Sequence, residues 1–240
     1  MKKYLLLFLI VIGYCYAASA QLEIHAAIGP SMPVGQYGNE RLDEGGYAQV
    51  GVAAEINGFW FASERFGVQA AISFQGHDID RRDLTRDFSQ ELFASSIDLL
   101  AGNYNTALAM IGPFYRFYPH DTDRFAWTFK GGVGMLFSRV DDLSVNVVSQ
   151  TSQGPVNYTS GGQAESKGNF TYFLGSDMQY FLNPKRSWGI RFGIMFTHAK
   201  PNFGLVLPEE VAPEMTQNVS FVNVNAGISL RFGGNKNKEE

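Results

Sequence analysis

The chain has 240 residues, of which 45% are hydrophobic, 18% charged and 14% aromatic, with 26 Gly, 9 Pro, one Cys and a formal net charge of −4. The aromatic content excludes a disordered chain, the Gly and Pro counts exclude collagen, and a single cysteine excludes a disulfide scaffold. Mean hydropathy is −0.11 and no stretch beyond residue 16 approaches the ~20 apolar residues of a membrane helix, which excludes a helical membrane protein.

Residues 1–20 carry Lys2 and Lys3, the apolar run Leu5 to Ile12, and Ala17-Ala18-Ser19-Ala20 before Gln21. This order of basic, apolar and small residues predicts a secretory signal peptide cleaved after Ala20. Cys15 follows bulky Tyr14 rather than a small residue, so it is not read as a lipoprotein cysteine and leaves with the signal peptide. The mature chain then holds 17 basic and 23 acidic residues, a net charge of −6. No basic patch points to nucleic acid.

From Leu22 onward the pattern is period-two alternation, which predicts strands with two unlike faces. In chain order the segments are Leu22 to Gly29, Ala48 to Trp60, Phe66 to Gln75, Ala107 to Tyr118, Phe125 to Ser138, Phe170 to Leu182, Trp188 to Thr197 and Val222 to Phe232. Gly112-Pro113 predicts a bulge or local break in the fourth, because proline donates nothing to a ladder. Connections 62–65, 119–124 and 183–187 are short, whereas 32–45, 77–104, 139–167 and 200–216 are long and polar. That alternation predicts an all-β fold, an eight-stranded antiparallel up-and-down transmembrane β-barrel, with short periplasmic turns and long extracellular loops. Within the second long loop, Phe88 to Leu100 is expected to form a short helix over the mouth.

The sidedness of the strands separates this barrel from a soluble one. One face carries Glu23, His25, Gln49, Glu55, Asn57, Gln69, Lys130, Asp177, Gln179, Arg191, Asn223 and Arg231, with glycines between them. Such a face suits a narrow, filled lumen. Trp60, Trp127 and Trp188 lie near the short turns, and Tyr47, Phe74, Phe137, Tyr172 and Phe196 near the long loops, as two interfacial aromatic girdles.

The Ile24-His25-Ala26-Ala27-Ile28-Gly29-Pro30 opening, the Gly112-Pro113-Phe114-Tyr115-Arg116-Phe117-Tyr118 segment and the closing Asn225-Ala226-Gly227-Ile228-Ser229-Leu230-Arg231-Phe232 resemble the small outer-membrane β-barrel domain proteins common in Bacteroidetes, of OmpA/OmpX-type architecture. The resemblance covers essentially the whole mature chain. It implies residence in the outer membrane of a Gram-negative bacterium, in contact with lipid and lipopolysaccharide, and assembly by a barrel-assembly machinery that reads Leu230 and Phe232. Residues 21–232 form the barrel in this reading, and 233–240 a short periplasmic tail following the signal.

Glu23, Glu55, Arg116, Lys130, Asp177, Arg191 and Arg231 are expected to pair into a lumen charge network, since an unpaired buried charge costs several kcal/mol. Its expected role is a structural plug, with a gate or proton path as the alternative. The histidines at 25, 77, 120 and 198 lack metal-site spacing. His198-Ala199-Lys200 is faintly similar to the His-x-Ser site of outer-membrane lipid A deacylases, but Lys200 stands where the nucleophile would be, and without a hydroxyl beside a base there is no attacking group. The acidic groups at 78, 80 and 83, at 141 and 142, and at 209, 210 and 214 lack a calcium-loop signature and read as solvated loops rather than ion sites. No catalytic residue, cofactor or metal is expected, and the chain is read as a non-enzyme. The expected function is structural or interactive through the long loops, with an envelope protein as a further partner. A secretion or assembly machine component, a narrow channel and a lipid-modifying enzyme are the alternatives.

Overall fold

The computed structural model describes residues 21–40, 45–91, 96–100, 102–119, 124–151, 154–206 and 215–232. The expected signal peptide, the tail after Phe232, His120 and the acidic residues at 209, 210 and 214 lie outside them.

Eight strands form a closed antiparallel wall: β1 (Gln21–Val34), β2 (Gly51–Phe61), β3 (Phe66–His77), β5 (Tyr104–Phe117), β6 (Phe125–Thr151), β7 (Gly154–Phe181), β8 (Trp188–Ala199) and β11 (Val219–Phe232), with β11 pairing back onto β1. Three further strands, β4 (Ser96–Leu100), β9 (Asn202–Val206) and β10 (Met215–Thr216), belong to the long loops. Starting at Ile24, the ladder passes through Gly58, Ala70, Ile111, Val133, Tyr172, His198 and Ser220 and re-enters β1 at Val34, ten residues further along. A stagger of this kind tilts the strands by roughly 35–45° and closes a barrel just wide enough to be filled by side chains.

Alternation sets what each face meets. Ile72, Leu174 and Ile228 point outward and are 54%, 70% and 55% exposed, while their inward neighbours Ser73, Gly175 and Gly227 belong to the interior face. An apolar surface running around the whole wall is stable only in lipid. The barrel is therefore a transmembrane one, inverted relative to a soluble barrel.

At Gly112-Pro113 the register shows no bulge. Pairing with β3 continues through Val68 and Pro113, and pairing with β6 resumes at Phe114 without a shift, so the break is confined to the β6 side. Glycine is required here because a Cβ on Gly112 would lie 2.0 Å from the Gly131 carbonyl oxygen and 2.6 Å from the Gly132 Cα. The actual register shifts lie in the β6–β7 pair, between Leu136 and Ser138 and between Val140 and Leu143. Beyond them, β6 and β7 run to 27 and 28 residues and carry β4 on one side and β9 with β10 on the other. The long-loop end thus supports its own small sheet.

The expected helix over Phe88 to Leu100 is displaced. Helix α1 spans Arg81–Glu91, and Ser96–Leu100 is a strand paired with β6 residues 144–148. Asp80 starts the helix: its Oδ1 accepts from the backbone amides of Arg82 and Asp83 at 3.1 and 3.2 Å, satisfying donors that a helix start leaves open. The extension of β6 offers the following segment an edge to pair with, and that pairing outcompetes a longer helix.

Candidate functional site

The lumen is stratified. At the short-turn end Phe59, Phe61 and Phe114 form an aromatic layer, Phe114 lying 5.0 Å from Phe59 and 4.9 Å from Phe61 in edge-on contacts. Gly67 makes room for it, since a Cβ there would sit 2.7 Å from the Phe114 ring.

Over this layer lie two linked ionic groups, all fully buried. In the first, Arg116 donates Nη1 to Glu23 Oε2 at 2.7 Å, Nη2 to Glu23 Oε1 at 3.1 Å and Nε to Thr128 Oγ1 at 3.0 Å. Glu23 Oε1 also accepts from Gln179 Nε2 at 2.8 Å and from His25 Nε2 at 2.5 Å. In the second, Arg191 Nη2 bridges Glu55 Oε1 and Asp177 Oδ1, each at 2.9 Å, and Lys130 Nζ lies 3.1 Å from Asp177 Oδ2 and 3.4 Å from Glu55 Oε1. Asn57 adds a donor to Glu55. Three carboxylates face three cations, so the layer is formally neutral.

Arg231 stands apart from this network. The register sets it opposite Glu23, but Arg116 occupies that carboxylate. Arg231 instead stacks 4.9 Å over the Phe61 ring and donates to the Gln21 side chain. Thr128 and Ser229 join the first group without having been singled out; Thr128 shares the face of Lys130 by alternation, which is the signal that would have found it.

The long-loop end is closed by apolar and aromatic side chains. Tyr37, Tyr47, Tyr104, Leu108, Leu136 and Phe221 are buried together, with Leu84 of α1 packed against them. Tyr47 was expected in the outer girdle and Gln49 on the inner face. Tyr47 turns inward at φ 51° and donates to Asp87 Oδ2 at 2.7 Å, and exposed Gln49, which precedes β2, donates to Asp80 Oδ2 at 2.7 Å. Both are recruited to hold α1, which sequence alternation alone does not show. Burial and the Asp87 carboxylate push the Tyr47 phenol up, and the amide of Asp83 and side chain of Gln49 hold the Asp80 carboxyl below its ordinary range. Glu40, Asp80 and Asp83 bring carboxylate oxygens within 4.8 Å of one another, yet Asp80 is occupied by the helix start.

On the outside, Trp60, Trp127 and Trp188 are exposed near the short turns, and Phe74 and Phe137 near the long loops, with Phe196 half-exposed among them. Leu230 faces Trp188 across β8, and Phe232 faces Leu22, whose other neighbour is Trp60. Between Phe74 and Phe137 the small Ala54, Gly76 and Ala107 leave a wall groove of about 540 Å³ that Arg139 also lines. The histidines divide: His25 and His77 are buried in the lumen, where Ser31 Oγ lies 3.2 Å from His77 Nε2, and His198 is half-buried on the outer wall.

The sequence matches no protein-family model and no curated protein. Solved structures with similar outlines include the Neisserial surface protein A, with 11% identity, TM-score 0.45 and coverage of 89% of this chain and 97% of that one. A major outer membrane protein from Thermus thermophilus has 9% identity and TM-score 0.47, covering 89% and 99%. The outer membrane protein AlkL, solved in lipid bilayers, has 12% identity and TM-score 0.46, covering 92% of each chain.

Proposed function

We propose that this chain is an outer-membrane barrel with a filled lumen, serving a structural or interaction role in the cell envelope of a Gram-negative bacterium through its long-loop end. The observation that carries this reading is the sealing of the lumen at three levels: the aromatic layer, the neutral ionic layer and the tyrosine-rich mouth under α1. Such an interior argues against a passage for solutes, and the sheet built on the extended β6 and β7 supports a role for the long-loop end. Outer-membrane lipid and lipopolysaccharide are its proposed surroundings; the apolar wall and the groove between Phe74 and Phe137 support this. Leu230 and Phe232, exposed on the closing strand, are the proposed contact with the barrel-assembly machinery.

Planar-bilayer recording of the purified protein tests the reading. No conductance steps are expected, and regular openings would overturn the filled lumen. Co-purification from detergent extracts then separates a free-standing barrel from a machine component, since only the latter brings a stoichiometric envelope protein with it.

A further inference from the structure

Lys200 occupies the position where a hydroxyl two residues beyond His198 would be needed, but the barrel supplies a hydroxyl from another strand. β8 and β11 pair so that Ser220 lies directly opposite His198. Ser220 Oγ is 2.7 Å from His198 Nδ1, within the ~2.6–3.2 Å reach expected of a nucleophile and its base. The next residue along the same rung is Tyr172, whose ring centroid is 5.0 Å from the imidazole and tilted by 39°. Both members of the pair are half-buried, so each keeps an accessible edge. They share the outward face with Phe196 and Ile194, at the long-loop end of the wall.

The setting limits what can reach the pair. Its surroundings on the apolar side are acyl chains, and on the other side the headgroup region that aromatic girdles mark. Exposed Lys200 follows just past the end of β8 and brings positive charge to that rim. By contrast, Ser31 beside His77 also donates to Gln75 Oε1 at 2.9 Å and is wholly enclosed. Of the described hydroxyl–histidine pairs, the one on the wall is the pair that a lipid can approach.

We propose that Ser220 and His198 form a catalytic dyad that hydrolyses the acyl ester of a phosphate-bearing lipid at the outer interface. Ser220 Oγ attacks the ester carbonyl carbon while its proton passes to His198 Nδ1. The tetrahedral intermediate expels the lipid alkoxide, which takes that proton and departs as an alcohol. Water then adds to the acyl-serine, giving its proton to Nδ1; collapse releases the fatty acid and Ser220 Oγ recovers the proton. The sum is ester plus water to alcohol plus acid. This activity is separate from the role proposed for the loops, and either can fail alone.

The test uses the full-length mature barrel in vesicles of phosphatidylethanolamine and phosphatidylglycerol, and in matching vesicles that contain lipopolysaccharide, with fatty acid release measured by mass spectrometry. A long-chain fluorophosphonate probe is applied in parallel to trap the nucleophile. Wild type is expected to form a probe adduct on Ser220 and to release fatty acid; release from both vesicle types identifies a phospholipid as substrate, and release only where lipopolysaccharide is present identifies the latter. S220A abolishes both signals, and H198N lowers the rate by roughly 10²–10⁴-fold, the contribution of a general base. S31A leaves both unchanged. The folded state of each variant is checked by the shifted gel migration of unheated barrel. Folded wild type with no Ser220 adduct, or with no release from either vesicle, overturns the proposal, as does an adduct or a rate that H198N leaves intact.

Discussion

Arg116 and Glu23, 93 residues apart in the chain, hold each other through two hydrogen bonds of 2.7 and 3.1 Å inside the barrel, one from each terminal guanidinium nitrogen to a different carboxylate oxygen. Because β2 and β3 lie between β1 and β5 in the wall, this pair ties together strands that the backbone ladder does not join directly.

Removing one member leaves the other charged and buried. Arg116→Leu is expected to destabilise the barrel by about 3–5 kcal/mol, and the double change Arg116→Leu with Glu23→Leu by less, because neither charge is then stranded. Urea unfolding in vesicles reads the difference. A loss for the double variant equal to the sum of the losses for Arg116→Leu and Glu23→Leu would show that the pair is not coupled.

Ile72 and Gln69 lie on opposite faces of β3, one 54% exposed and the other 1%. Ile72→Arg, which puts a cation into lipid, is expected to cost ~2–4 kcal/mol near the bilayer centre. Gln69→Arg is expected to cost several kcal/mol, because it crowds the lumen and buries a cation where the three carboxylates are already paired, whatever the thickness of the bilayer. Unfolding in short-chain and long-chain lipids separates the two, and a loss at Ile72 insensitive to lipid would contradict the inside-out assignment.

The alternation that reveals these faces is local, which is why the strands, their sidedness and the outward positions of Trp60, Trp127 and Trp188 are legible in the sequence. What depends on register is not. Nothing in the segments around His198 and Ser220 states that they meet, since that requires the offset between β8 and β11. Arg231 shares the parity of the network residues but lies where Arg116 has already taken Glu23. Tyr47 and Gln49 read as parts of a strand, yet a turn at positive φ and the start of α1 divert them. The strand Ser96–Leu100 owes its existence to a distant partner, the extension of β6.

Gly112→Ala is expected to disrupt assembly more than a change of one methyl group would elsewhere. The new Cβ would meet backbone of β6 at 2.0 Å, and backbone cannot turn aside as a side chain does, so the cost is at or above the ~1–3 kcal/mol of ordinary overpacking. The measured quantity is the yield of folded barrel in refolding, compared with Gly131→Ala, where the nearest contact is the Leu174 side chain at 3.3 Å.

Asp80→Ala should loosen α1 by about 0.5–2 kcal/mol through loss of its start, read as faster hydrogen exchange at the Arg82 and Asp83 amides. The native carboxyl is held below its ordinary range, so its contribution is complete above the pKa of the unfolded chain and declines as pH falls through the folded value. Once the intrinsic slowing of amide exchange at lower pH is divided out, protection in α1 is expected to fall on acidification in the wild type and to change less in the Asp80→Ala variant. Identical profiles would exclude Asp80 as the source.

The seam between β1 and β11 also gives the molecule a built-in completeness check. Until residues 219–232 arrive, β1 and β8 each present a bare row of amides and carbonyls, and hydrocarbon offers those groups nothing. A partly inserted chain has no comfortable resting state in the lipid, so insertion and closure have to finish as one event, with the final strand acting as the latch.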